Sequence, residues 1–169
     1  MKHSIYGLLF LLIMPVMAQA QNEAYPLGKL LLSNEEVVMS FKTKNRKIVT
    51  VNTDKNYGYI VFRYGDKDSV KFQYPKDLNE NSWQQFTYYS SKQKNEKADP
   101  DMEIFQLSFF YNGISYNVNQ NLHIPTEDED LELNITGIVD GCRLSAKPHT
   151  RIGSLATLQN SEVTKKETE

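Results

Sequence analysis

A single cysteine, Cys142, stands in this chain of 169 residues, so no intramolecular disulfide can staple the fold. A basic surplus is missing too: 19 Lys and Arg against 21 Asp and Glu leave a formal charge of −2. Nucleic acid and anionic membrane surfaces usually demand a basic stripe, so nucleic acid is not an expected partner. Histidine is scarce. Beyond His3 there are only His123 and His149, and neither sits in an H-x-x-x-H, H-x-H or Cys-His spacing that would present two metal ligands on one face. No Gly-x-Ser-x-Gly elbow occurs and no glycine-rich phosphate loop opens a helix. These gaps remove the recognisable metal, nucleotide and serine-nucleophile chemistries, and no cofactor is expected.

What is present begins with one long apolar run. Lys2 precedes the apolar residues 8–16, and Ala18-Gln19-Ala20 has the small-x-small pattern of a signal-peptidase site. Residues 1–20 therefore read as a signal peptide, with Gln21 opening the mature chain. The run falls short of the about 20 apolar residues that a membrane span needs, and no integral membrane segment is expected after cleavage. Gln21 is not a cysteine, so no lipid anchor is expected. Export without a disulfide points to a bacterial envelope protein, periplasmic or extracellular. Asn134-Ile135-Thr136 fits a glycosylation acceptor, which would matter only in a eukaryotic secretory pathway.

From residue 37 to 146 apolar residues recur at every second position, the period of strands. Val37, Met39 and Phe41 alternate with Val38, Ser40 and Lys42; Ile60, Phe62 and Tyr64 alternate with Tyr59, Val61 and Arg63; Val70, Phe72 and Tyr74 flank Lys71 and Gln73. Further strands are expected at 47–51, 83–89, 103–111, 114–118, 131–136 and 142–146. Asn112-Gly113 and Asp140-Gly141 are two-residue hairpin signals. About nine short strands with almost no helical period predict a single all-β domain, an antiparallel β-sandwich or an up-and-down barrel. The domain covers 37–158, after an N-terminal segment 21–36 with a short helical turn at 27–36. Residues 92–101 read as a solvated loop, and the polar end, 159–169, as a disordered tail.

The remaining chemistry has structural readings. Cys142 alternates with Leu144 and Ala146 on a core-facing side and reads as a small buried hydrophobe. Glu127, Asp128, Glu129 and Asp130 are consecutive, without the alternating ligand spacing of a calcium loop. Glu103 and Glu132 are the strand carboxylates that a hydrolase would draw on. Aromatics are the one surplus: ten Tyr and eight Phe beside a single Trp. Most belong to a sheet core, but Tyr88-Tyr89 and Tyr57-Gly58-Tyr59 leave at least one ring on the outer face of each strand.

Phe62-Arg63-Tyr64-Gly65 followed by Tyr74-Pro75 resembles a hairpin shared by a group of uncharacterised small exported bacterial proteins, and the likeness continues through Asn112-Gly113-Ile114-Ser115-Tyr116 and Gly153-Ser154-Leu155. It implies a β-rich exported protein and brings no activity with it. The expectation that follows is a non-catalytic binding or envelope-associated domain, not an enzyme, holding a protein or glycan partner through Tyr59, Arg63, Trp83 and Tyr89. A periplasmic enzyme inhibitor of lysozyme-inhibitor type, presenting a rigid loop at 76–82 or 120–130, is the alternative, and a small hydrolase is the third.

Overall fold

A computed structural model describes residues 25–94, 101–124, 129–136 and 141–165. The strands are β1 (Glu35–Lys42), β2 (Ile48–Asp54), β3 (Ile60–Asp66), β4 (Ser69–Tyr74), β5 (Thr87–Gln93), β6 (Asp101–Tyr111), β7 (Ile114–Ile124), β8 (Glu129–Thr136), β9 (Cys142–Ser145), β10 (Ile152–Gly153) and β11 (Thr164–Lys165). They form a five-stranded sheet, ordered β10-β1-β2-β3-β4, and a six-stranded sheet, ordered β11-β5-β6-β7-β8-β9. The two separate sheets make the fold a sandwich rather than a barrel. Every pairing is antiparallel except β11 with β5. The nine longer strands are those the alternation predicts; β10 and β11, two residues each, are too short to leave a period.

The sandwich core follows from parity. Met39, Phe41, Val49, Val51, Ile60 and Phe62 on the first sheet meet Tyr88, Phe105, Leu107, Phe109, Val118 and Leu133 on the second. Seven of the aromatic rings form one cluster, in which Phe109 stacks on Tyr74 at 4.4 Å and on Tyr116 at 4.8 Å between ring centroids. Offset and edge contacts of this kind add to the burial itself. Asn112 and Gly113 both have positive φ, as a type I′ hairpin between β6 and β7 requires. Asp140 of the other expected hairpin lies outside the described residues, as do 95–100 of the expected loop.

Four expectations need correction. The alternation beginning at Val37 breaks, because a bulge between Val37 and Met39 turns Val38 into the sandwich core. The strand expected over 83–89 starts only at Thr87, because Glu80–Gln85 forms a 3-10 turn capped by the Asn79 side chain, which accepts from the Asn81 N–H at 3.0 Å. Cys142 keeps its parity opposite Ile135 but is exposed, being the first residue of an edge strand. Residues 159–165 are not an unstructured tail: a second 3-10 turn, Leu155–Asn160, leads to Val163, which is 3% exposed, and then to β11.

The first sheet has a second apolar cover. Tyr25, Leu27 and Leu30 pack with Ile48 on its outer side. The helical turn expected at 27–36 narrows to the 3-10 turn Gly28–Leu30. Gly28 is required there: its φ is +55°, and a Cβ would come within 2.0 Å of the Lys67 carbonyl oxygen.

Candidate functional site

With the outer side of the first sheet covered, the outer face of the second is the broader open surface among the described residues. Period-two alternation sends one residue in two to that face, and strand register lines those residues up across the sheet. One row runs Tyr89, Gln106, Asn119, Glu132, Ser145 from β5 to β9. A second runs Thr87, Ser108, Asn117, Asn134, Arg143. A third runs Ser91, Ile104, Asn121, Asp130. With strands about 4.8 Å apart, the first two rows each span about 19 Å.

These side chains hold one another in place. Gln106 Nε2 donates to Asn119 Oδ1 at 2.9 Å, and Asn134 Nδ2 donates to Glu132 Oε1 at 2.9 Å. Arg143 Nη2 donates to the same Glu132 oxygen at 3.0 Å. Half-buried amides tied to their neighbours cost less to order on binding than free ones. A shallow depression of roughly 340 Å³ lies over Gln106, Asn117, Asn134 and Arg143.

At the end of the rows the face drops into a polar cleft of roughly 740 Å³ between β8–β9 and the segment 146–151. Its walls include Lys44, Asn121, Glu129, Glu132, Arg143, Lys147, His149 and Arg151. The floor is anchored by Gln120, fully buried on β7: its Nε2 donates to Glu129 Oε1 at 2.7 Å, and its Oε1 accepts from Leu155 N at 2.8 Å and Ser154 Oγ at 3.0 Å. Burial pushes the Glu129 carboxyl above its ordinary value, against the pull of Gln120 and Arg151.

Of the four residues expected to bind, Tyr89 alone lies on this face. Trp83 is 3% exposed, its Nε1 donating to the Tyr57 carbonyl at 3.0 Å. Tyr59 is 9% exposed and Arg63 is 1% exposed. Both belong to a buried polar network under the N-terminal cover. Arg63 Nη1 and Nη2 donate to Glu35 Oε2 and Oε1 at 2.6 and 2.8 Å, Arg63 Nε donates to Gln73 Oε1 at 2.8 Å, and the Tyr59 hydroxyl donates to Glu35 Oε1 at 2.9 Å. That arrangement satisfies a buried charge pair and leaves no group turned outward. In Tyr57-Gly58-Tyr59 the exposed ring is Tyr57, 66% accessible, at the tip of the β2–β3 loop.

The hydrolase candidates do not converge. Glu103 pairs with Lys92, Glu132 with Arg143 and His123 with Asp130. His149 sits in the cleft wall with φ +57°. Among the described residues no group of three or more His, Cys, Asp or Glu is placed to hold a metal ion, and no helix is long and apolar enough to cross a membrane. The amide rows do have a sequence signal: Asn117, Asn119 and Asn121 alternate with Val118 and Gln120 at period two. The chain matches no protein-family model, no curated protein and no solved structure.

Proposed function

We propose that this chain is an exported, non-catalytic bacterial binding domain, and that the outer face of its six-stranded sheet holds a glycan. Export rests on the leader pattern of residues 1–20. The observation that carries the binding role is the alignment of amide, hydroxyl and charged side chains in rows across five strands. Each Asn or Gln offers a donor and an acceptor side by side, matching saccharide hydroxyls that both give and accept hydrogen bonds. Tyr89 at the margin adds an amphipathic ring. A protein partner is less well served, since the centre of a protein interface is apolar and poor in charge, whereas the centre of this face is Gln106, Asn117, Asn119 and Asn134.

Glycan-array binding by the purified protein, compared with an Asn117→Ala/Asn134→Ala variant, tests the reading. The expected result is retention of a defined set of glycans by the native protein, lost in the variant at unchanged thermal unfolding. Binding that survives the substitutions, or no glycan retained, overturns it.

A second reading, an inhibitor that inserts a loop into an enzyme cleft such as that of lysozyme, is favoured by Tyr57. Of the loops expected for that role, 125–128 lies outside the described residues, and neither 120–124 and 129–130, which run in β7 and β8, nor 80–82, in the 3-10 turn, presents a braced projecting tip. The β2–β3 loop does. Asp54 Oδ2 accepts from Asn56 N at 2.9 Å, and the Tyr57 carbonyl is held by Trp83, so an exposed ring stands on a braced tip. Inhibition of lysozyme that disappears with Tyr57→Ala would select this reading; absence of inhibition at excess protein removes it.

A further inference from the structure

Resting on the glycan reading of the sheet face, we infer that the ligand is an acidic saccharide whose carboxylate enters the cleft at Lys44 and Lys147. The cleft is built from both sheets. Thr43 and Ala146 form a bridge between them, and on either side Lys44 N donates to the Ser145 carbonyl at 3.1 Å and Lys147 N to the Lys42 carbonyl at 2.6 Å. The wall beyond is fixed by Thr150, whose hydroxyl accepts from Lys42 N at 3.1 Å and donates to the Lys147 carbonyl at 2.7 Å. The two lysines therefore stand on rigid backbone at the mouth of one cavity.

The charge ledger of the cleft is uneven. Glu129 faces Arg151 at 2.8 Å and Glu132 faces Arg143, while Asp130 lies 3.3 Å from the His123 ring. Lys44 and Lys147 have no acidic partner among the described residues, where the four Lys and Arg of the cleft outnumber its three carboxylates by one. Its volume, roughly 740 Å³, falls within the range of small-molecule sites, and its polar walls suit a hydrated ligand. Asn121, Glu132, Arg143 and Ser145 belong to both the cleft and the rows, so the two are continuous. A chain of sugar rings laid along the amide rows reaches the lysines with one ring, and a carboxylate on that ring completes the charge balance.

Calorimetric titration of the purified protein with two matched pairs, trigalacturonate against its methyl ester and sialyllactose against lactose, tests the inference. For at least one pair the acid should bind about tenfold tighter than its neutral partner, the preference should shrink as salt rises, and Lys44→Gln/Lys147→Gln should equalise the pair. Both lysines are exposed, so the variant keeps its fold, verified by thermal unfolding. Equal binding of the acidic and neutral forms overturns the carboxylate inference and leaves the sheet-face reading standing. No binding of any of the four overturns both.

Discussion

Arg63 on β3 reaches across β2 to meet Glu35 on β1 in a two-pronged ion pair, with Leu30 of the N-terminal cover accepting from Arg63 Nη1 at 3.2 Å. The pair takes the polar middle of the first sheet out of solvent. The two outer faces of the sandwich thus differ in kind: one spends its polar groups on each other beneath a lid of Tyr25, Leu27 and Leu30, and the other presents them.

Removing one member of that pair should be costly. Arg63→Met leaves the Glu35 carboxylate buried without its cation and is expected to lower unfolding free energy by about 3–5 kcal/mol. Adding Glu35→Leu should return most of the loss, because a well-packed apolar pair avoids the desolvation penalty. Urea denaturation of the two single variants and the double variant measures the coupling.

Stability should fall in acid through the same pair. Burial pushes the Glu35 carboxyl up, but hydrogen bonds from Arg63, the Leu32 N–H and Tyr59, with the charge of Arg63, hold it below the ordinary value of 4.5. A depressed folded pKa contributes stability that is present above the unfolded value and is lost as pH falls through the folded one. Glu129, raised by burial, acts with the opposite sign, its penalty growing as pH rises through 4.5. Urea midpoints in a pH series crossing 4.5 should drop on the acid side, and Glu35→Gln should flatten that drop.

The floor of the cleft depends on Gln120. Gln120→Leu keeps the bulk but strands the Leu155 N–H and deprives Glu129 of a donor, at an expected cost of about 1–3 kcal/mol. Thermal unfolding reads the loss, and any acidic saccharide that binds the native protein should bind this variant more weakly.

Tyr57 carries a φ of +59°, a left-handed conformation that a bulky residue adopts only under strain. Tyr57→Asn should relieve it and raise stability by about 0.5–1 kcal/mol. A fall in melting temperature would show that the ring contributes packing its exposure does not reveal.

Gly153 tolerates no side chain. Its φ is +72° and a Cβ would meet the Val38 carbonyl oxygen at 2.2 Å. Gly153→Ala is expected to cost about 2 kcal/mol or more by displacing β10 from β1, seen as a lowered denaturation midpoint.

The strands are legible in the sequence because alternation reports which side of a residue is wet. It places Arg63 correctly, on the face opposite Phe62 and Tyr64. It cannot report that the far face is also covered, since that depends on where Tyr25, Leu27 and Leu30 return in space. Trp83 shows a different failure: aromatic composition suggests a strand through 83–89, while one polar side chain, Asn79, winds the backbone into a 3-10 turn first. The candidate face was open to reading. Asn117, Asn119 and Asn121 alternate as clearly as any apolar set, but the rows they belong to exist only through the register across strands, which alternation within one strand does not report. The cleft is legible nowhere in the sequence, because Lys44 and Lys147 are brought together by a bridge between distant residues.

The pairing of β11 with β5 has a consequence for how copies of this protein meet. Unpaired strand edges invite other chains to add to them and so seed aggregation. Two of the four edge strands, β10 and β11, offer only two residues each, and β9 offers four. That leaves β4 as the longest edge, and at its exposed middle stands Lys71, beside the exposed Lys67 and Asp68 of the preceding turn. A strand docking there would have to desolvate charge, so the sandwich guards its longest edge strand with lysine.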